Sequence, residues 1–229
     1  MAYFLNSSFK NNEFELMAND KYFVDKTQMI EKSNELIGIK DRYICITRPR
    51  RFGKTLNAMM LASYYSKNAD FKDLFDKLNI SKSVSYLEHL NKHNVIYITF
   101  NELPNPNCSY SEFIESYTQD LIKDLKDTFC DIQINDDKPI HKILTQVYEK
   151  TGEGFIFIID EWDYIFNNSL FSENDRKSFL EFLRDLLKDK AYVELAYMTG
   201  VLPIAKYSSG SALNMFLEFN IMNDHIYYE

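Results

Sequence analysis

The chain has 229 residues, a formal net charge of -8, and a composition that is 45% hydrophobic and 15% aromatic. This length suits one α/β domain, alone or with a small appendage, and the apolar content is enough for a buried core. The acidic balance argues against a protein that coats DNA through Lys and Arg contacts to phosphates. Three widely spaced cysteines, Cys45, Cys108 and Cys130, exclude a full disulfide framework and a C-x-x-C metal site.

The sequence shows no targeting signal for a membrane or for the secretory pathway. Residues 1–10 lack a basic start followed by an apolar run, so no signal peptide is predicted. No stretch approaches the roughly 20 apolar residues that cross a bilayer. We therefore expect a soluble protein of the cytoplasm.

An N-terminal segment, residues 1–42, precedes the first predicted strand. It contains the run 22–27 (YFVDKT) and then a helical pattern through Met29 and Ile30. We expect a short lead-in that packs on the main domain, with the main domain occupying residues 43–229.

Four apolar runs predict buried strands: 43–47 (YICIT), 95–100 (VIYITF), 155–160 (FIFIID) and 194–199 (ELAYMT). Their apolar character is continuous, not alternating, which is typical of strands that are covered on both faces of a parallel sheet.

Helical patterns lie between the predicted strands. The first begins near Lys54, the second has Ser109 or Ser111 as its N-cap, the third is opened by Pro139, and the fourth includes residues 179–187. Strands that alternate with helices predict right-handed crossovers and an α/β fold with a mainly parallel sheet.

Residues 48–55 (RPRRFGKT) follow the first predicted strand and open a helix, as a phosphate-binding loop (Walker A) does. The full pattern is G-x-x-x-x-G-K-[ST], and Arg48 stands in place of the first glycine. Arg adopts a positive φ only at a cost, and Pro49 favours an extended Arg48. We therefore expect this loop to leave its strand by a different path.

The second half of the loop has the residues that bind phosphate and metal in this pattern. Gly53 lets the backbone approach a β-phosphate, Lys54 reaches the β and γ oxygens, and the Thr55 hydroxyl is a ligand for Mg²⁺. The predicted nucleotide-binding residues are Arg50, Arg51, Phe52, Gly53, Lys54, Thr55 and Leu56. A basic surface loop is the alternative, and Arg50 and Arg51 have a second alternative as partners of Asp160 or Asp163.

A second motif, 155–163 (FIFIIDEWD), is an apolar strand that ends in acids. This pattern is typical of Mg²⁺ coordination in phosphate-loop enzymes (Walker B). Asp160 would hold the ion through water, and Glu161 would orient or deprotonate the attacking water. The alternative is a strand capped by solvated acids, with Asp163 starting a helix. The Gly53-Lys54-Thr55 sequence favours the catalytic interpretation.

One predicted strand lies between these two motifs along the sequence. Together with Glu161, that extra strand resembles the additional-strand, catalytic-Glu branch of P-loop ATPases. Thr199, at the end of the fourth strand, is placed to sense the γ-phosphate or the attacking water. A turn residue before Gly200 is an equal alternative.

Four segments together resemble a known family. They are 22–27 (YFVDKT), 47–55 (TRPRRFGKT), 157–163 (FIIDEWD) and 198–206 (MTGVLPIAK). They are similar to the AAA-ATPase-like domain of many bacterial and archaeal proteins, whose loop is typically RPRRFGKT, so that Arg48 is the family's own variant. The resemblance extends over nearly the whole chain, including residues 208–224. It implies a three-layer P-loop NTPase of the AAA/STAND-like branch, with ATP and Mg²⁺ as cofactors.

The resemblance also implies a helical segment and a PD-(D/E)xK nuclease-like domain after the ATPase-like domain. This chain ends at Glu229 and contains no D…ExK arrangement, so we expect a truncated or naturally short member. Whether the fifth strand of the usual sheet is missing with the C-terminus stays open. The expected partner is a nucleotide, with a homo-oligomer possible and nucleic acid not expected for this chain alone.

Three functions follow from these patterns. The first is a Mg²⁺-dependent ATPase with Glu161, Lys54 and Thr199 as catalytic residues and Thr55 and Asp160 as metal ligands. The second is a nucleotide-gated switch that turns over little and signals to a C-terminal partner domain. The third, nucleic-acid binding or cleavage, is implied only by the family's usual neighbour domain.

Overall fold

The computed structural model describes residues 2–207 and 212–220, without side-chain detail for residues 8–11. Within these residues, five parallel strands form one sheet in the order β2-β3-β4-β1-β5. The strands are β1 (Tyr43–Thr47), β2 (Asn94–Thr99), β3 (Phe155–Asp160), β4 (Val193–Gly200) and β5 (Leu217–Phe219). Part of the predicted resemblance, at residues 208–211 and 221–224, lies outside the described residues.

Helices cover both faces of the sheet and give the molecule three layers. On one face lie α1 (Ser8–Ala18), α2 (Gln28–Asn34), α3 (Lys54–Tyr65), α4 (Lys72–Phe75) and α5 (Tyr86–His89). On the other lie α6 (Tyr110–Thr128), α7 (Ile140–Thr151), α8 (Tyr164–Asn167) and α9 (Glu173–Leu187). Among the helices described, none is both long and apolar enough to cross a membrane.

Successive strand residues face two separate cores. Cys45 of β1 packs with α6–α9, whereas its neighbours Ile44 and Ile46 pack with α1–α5. Strand β3 alternates in the same way, with Phe157 in the first core and Ile158 in the second. Burial on both faces explains why these strands are continuously apolar in sequence.

The predicted strands are confirmed: the bounds of β1 and β3 are as expected, β2 is shifted by one residue, and β4 is longer by one residue at each end. Of the two predicted N-caps of α6, Ser109 is the one observed, and its Oγ accepts the Glu112 N–H at 3.3 Å in a capping box. The sequence left the presence of a fifth strand open, and the structure answers the question. Strand β5 is present and pairs with β1.

The N-terminal segment covers a sheet edge as well as a face. The N–H groups of Tyr3, Phe4 and Leu5 all donate to the carboxylate of Asp124, at 3.0, 2.6 and 3.0 Å. Leu5 forms an antiparallel bridge with Ile96 of β2. This pairing closes the outer edge of β2, which would otherwise present unpaired backbone groups.

The motif at 22–27 has a structural role in linking two segments. Asp25 accepts the N–H and the hydroxyl of Thr27 at 2.9 and 2.6 Å, and also the N–H of Asn79 at 2.7 Å. Thr27 Oγ1 accepts the N–H of Ile80 at 3.0 Å. These contacts fasten the lead-in to the short 3-10 helix at Asn79–Lys82.

A histidine pair near the start of β2 makes stability depend on pH. His89 Nδ1 lies 3.0 Å from His93 Nε2, and His93 Nδ1 lies 2.7 Å from Glu194 Oε2. Burial, and then the charge of His93, lower the pKa of His89. The unfolded chain therefore binds more protons, and stability falls as pH drops below the unfolded pKa of about 6.5.

We expect the thermal unfolding midpoint of the wild type to decrease between pH 7 and pH 5 more steeply than that of His89→Gln. Differential scanning calorimetry at a series of pH values measures both slopes, and identical slopes would contradict the assignment. His141, whose pKa burial also lowers, contributes equally to both proteins.

Candidate nucleotide-binding site

A cavity of about 320 Å³ lies at the carboxyl edge of the sheet. Because β4 lies between β1 and β3, the loops after all three strands surround it. The lining residues are Arg50, Arg51, Gly53, Lys54, Thr55, Leu56, Glu161, Asp163, Tyr164, Asn167, Gly200 and Val201. The two motifs predicted from sequence therefore meet at one place.

The loop after β1 leaves the sheet by a route that accommodates Arg48. The Arg48 N–H donates to Gly200 O at 3.1 Å, which extends the pairing of β1 with β4 by one residue. Arg48 is not among the described residues with positive φ; those in the loop are Arg51 at 69° and Gly53 at 76°. The sharp turn is thus displaced from the first position of the loop, as the sequence of Arg48 and Pro49 indicated.

Gly53 ends the loop and begins helix α3. It is the N-cap residue in a left-handed conformation, and no side chain caps the helix among the described residues. The first N–H groups of a helix have no partner within the helix and favour anions. The start of α3 therefore presents unpaired donors at the cavity wall.

Lys54 lies near carboxylates, whose charge is opposite to its own. Its Nζ donates to the carbonyl oxygen of Pro49 at 2.9 Å, within the same loop. Burial lowers the pKa of Lys54, whereas nearby carboxylates act to raise it. These carboxylates belong to Asp160, Asp163 and Glu161. The ammonium group is held on the loop and faces the acidic wall of the cavity.

Asp160 is buried just behind the cavity, with a defined orientation. Its Oδ1 accepts the Thr199 hydroxyl at 3.0 Å and the Glu161 N–H at 3.1 Å. Its Oδ2 accepts the Tyr97 hydroxyl at 3.4 Å. Thr199 is fully buried and does not serve as a turn residue. Asp160 and Thr199 do not line the cavity itself.

Tyr97 is a site residue that the sequence analysis did not identify. Burial and the neighbouring Asp160 raise the pKa of its hydroxyl, which therefore stays protonated and donates. The available signal was a tyrosine hydroxyl in the apolar run 95–98 at the centre of strand β2. Its register opposite Ile158 of β3 puts it beside the acidic strand end.

Glu161 turns out of strand β3 into the cavity. Its φ of 53° is in the left-handed region, which is unfavourable for a residue with a side chain. The cavity lining includes Glu161, and the next residue, Trp162, is fully buried beside it. The strained turn separates Glu161 from the buried Asp160 and directs it to the opening.

The sequence offered Asp160 and Asp163 as alternative partners of the two loop arginines, and the described structure does not show these pairs. No ion pair joins Arg50 or Arg51 to Asp160 or Asp163 in the part of the chain that the structure describes. Both arginines are exposed and line the cavity. They remain available to an anion there.

A wider apolar groove, of about 600 Å³, adjoins the cavity and shares Arg51, Gly53 and Leu56 with it. The groove lies between the N-terminal segment and the loop. Its other lining residues are Leu16, Met17, Asp20, Tyr22, Phe23, Val24, Lys26, Phe52 and Asn57. Phe52 is 57% exposed and lines this groove, not the smaller cavity.

Another cavity, of about 490 Å³, lies between the N-terminal segment and α6. Glu102 and Asp120 contribute to its lining, which has no Lys or Arg among the described residues. Phosphates require cationic or N–H donors. The smaller cavity beside Lys54 is therefore the better match to a nucleotide.

Comparisons with known proteins agree with this geometry at the level of family. Residues 9–209 match the model of the AAA-ATPase-like family, which is described as a predicted AAA-ATPase. A comparison with curated proteins finds no match. Among solved structures, the chain is similar to that of the Aeropyrum pernix ORC2 protein (ADPNP-ADP complexes), with a TM-score of 0.43 and 11% identity. That similarity covers 93% of this chain and 48% of the ORC2 chain, so this chain spans about half the length of ORC2. Since the family model matches most of its length, the chain belongs to the AAA-ATPase-like family.

Proposed function

We propose that the chain binds MgATP at residues 48–55 and hydrolyses it. The observation that carries this proposal is that Lys54 and Glu161 line one cavity, on loops from different strands. Membership of a predicted AAA-ATPase family supports the nucleotide. The roles of individual residues rest on the contacts described above.

The cavity has donors for phosphate on one wall. The start of α3 supplies N–H groups, Lys54 supplies an ammonium group, and Arg50 and Arg51 add positive charge. The Pro49 carbonyl now accepts the Lys54 ammonium. A bound triphosphate would take over that hydrogen bond.

The opposite wall is acidic, with Glu161 and Asp163 in the lining and Asp160 behind. A triphosphate beside these carboxylates needs a cation between the two. Thr55, which opens α3 after Lys54, and Asp160 would hold Mg²⁺ there, with the remaining ligands from water and phosphate. Bound Mg²⁺ would neutralise charge on the phosphate oxygens.

The chain's own residues then have distinct tasks in hydrolysis. Glu161 holds the attacking water and accepts its proton. Thr199 and Tyr97 fix the two carboxylate oxygens of Asp160 by hydrogen bonds. The apolar groove that contains Tyr22 and Phe52 receives the base, because the flat aromatic face of a nucleobase stacks on aromatic side chains.

A nucleotide-gated switch with little turnover is the second candidate. The observation in its favour concerns arginines outside the loop. In the described structure, Arg176 donates to Asn168 O and Arg184 pairs with Asp185, and neither lines the cavity. An arginine that stabilises charge in the transition state, when one is used, would then come from another chain or domain.

Release of phosphate from ATP distinguishes the two functions. We expect steady turnover by the wild type with Mg²⁺ and loss of turnover when EDTA removes the ion. Tight binding of ATP with no release of phosphate, even at protein concentrations that favour oligomers, would contradict hydrolysis and favour the nucleotide-gated switch. Failure to bind any nucleoside triphosphate would contradict both.

A further inference from the structure

The loops after β3 and β4 are joined by the carboxylate of Asp163. Its Oδ2 accepts the N–H of Val201 at 3.0 Å and the N–H of Leu202 at 2.8 Å. The residue is 3% exposed, so water competes little for these bonds. A backbone bond from Trp162 N to Thr199 O, at 3.1 Å, runs beside them.

Gly200 brings the two loops into direct contact. A Cβ atom at this position would lie 2.5 Å from Trp162 Nε1 and 2.7 Å from Asp163 Oδ1. These distances leave no room for a side chain. The spacing of the loops is therefore set by Gly200 as well as by Asp163.

Other roles for Asp163 do not match its contacts. It occupies the N-cap position of α8, but its side chain makes no capping hydrogen bond. In the described residues it forms no ion pair with Arg50 or Arg51. Its hydrogen bonds go to the loop after β4, which is 38 and 39 residues away in sequence.

Both ends of this contact lie next to residues proposed for the chemistry. Glu161 is two residues before Asp163, and Thr199 is two residues before Val201. The backbone of Glu161 is held at an unfavourable φ of 53°, which persists only where the surroundings enforce it. The hydrogen bonds of Asp163, which lies only two residues from Glu161, can enforce that conformation.

We infer that Asp163 is a positioning residue that holds Glu161 toward the attacking water by fastening the β3 loop to the β4 loop. The inference rests on the proposed hydrolysis. Asp163 acts on the reaction through Glu161, and its charge also acts on Lys54 across the cavity. Loss of its two hydrogen bonds should therefore lower kcat, whereas loss of its charge alone should change only nucleotide affinity.

The geometry offers a matched pair of variants. Because one oxygen accepts both N–H groups, Asp163→Asn retains both bonds through its amide oxygen, whereas Asp163→Ala loses both. For Asp163→Ala we expect kcat for MgATP to fall at least about tenfold, since small misplacements of catalytic groups are costly. We expect the dissociation constants of Asp163→Ala and Asp163→Asn to agree within about twofold, because both variants lack the charge of Asp163 and keep the donors of residues 48–55. Asp163→Asn should recover most of kcat.

Asp175→Ala is the control for lost stability. Asp175 accepts the N–H of Ser172 at 2.8 Å in the capping box of α9, outside the cavity. This variant should be less stable, with kcat unchanged. Trp162 provides a second readout, because quenching of its fluorescence by acrylamide should increase in Asp163→Ala and not in Asp175→Ala.

Several outcomes would overturn the inference. They are a wild-type kcat in Asp163→Ala, an equal loss of kcat in Asp175→Ala, or a loss of affinity in proportion to kcat. If Asp163→Ala does not fold, Gly200→Ala decides, since its methyl group must separate the loops; a normal kcat in that variant contradicts the inference. A wild type that binds MgATP without turnover overturns the proposed hydrolysis and this role together. An active wild type with an unaffected Asp163→Ala overturns this role alone.

Discussion

Replacing Glu161 by Gln is expected to lower kcat for ATP hydrolysis by about 10²- to 10⁴-fold, the usual contribution of a general base. Gln has the same shape and still accepts a hydrogen bond from water, but it cannot take up the proton. The loss should therefore appear in kcat, while MgATP binds as tightly as to the wild type or more tightly. Single-turnover phosphate release, with binding measured in parallel, separates the two quantities.

Glu181→Gln is a suitable control, because Glu181 is an exposed residue of α9 outside the cavity. It should keep the wild-type kcat. Turnover by Glu161→Gln at the wild-type rate would show that Glu161 is not the base.

Replacing Lys54 by Ala is expected to weaken MgATP binding by about 10- to 100-fold. The basis is that a hydrogen bond to a charged group contributes about 1.5–3 kcal/mol, and 1.4 kcal/mol corresponds to a tenfold change. The bond from Lys54 to Pro49 O must be given up on binding, which keeps the net effect in this range. Trp162 fluorescence reports the binding, since its indole lies against Gly200 in the cavity wall.

Lys177→Ala removes an exposed lysine of α9 and serves as the control. It should bind MgATP as the wild type does. If Lys54→Ala and the wild type had equal affinities, the loop at residues 48–55 would not be the phosphate site.

The sequence predicted the parts of the site that depend on local order. Strands β1 and β3 are continuously apolar because both of their faces are buried. Residues 50–56 follow shortly after the end of β1, and Glu161 follows directly after the end of β3. All of them except Phe52 line the cavity, and Phe52 lies in the adjoining groove.

The contacts that could not be predicted from the sequence depend on which strands become neighbours in the sheet. Tyr97 reaches Asp160 across 63 residues of sequence, and Asp163 reaches the β4 loop across 38 and 39. Tyr97 belongs to no local motif, and the acidic motif that contains Asp163 does not indicate its partner on the β4 loop. Arg48 was expected to send the loop along a different path, and its backbone bond to Gly200 is the contact that the sequence did not predict.

Strand β5 was left open for a different reason. It has only three residues, Leu217–Phe219, and Leu217 is 40% exposed. Such a short, partly exposed run has neither continuous apolar character nor a clear alternation. Its pairing with β1 is what makes it a strand.

Binding of MgATP in the cavity beside Lys54 underlies every catalytic role proposed above. Isothermal titration calorimetry of the wild-type chain with MgATP measures this binding independently of turnover. We expect saturable binding at one site per chain, weakened when EDTA removes Mg²⁺. A folded protein that takes up no MgATP at millimolar nucleotide would contradict it.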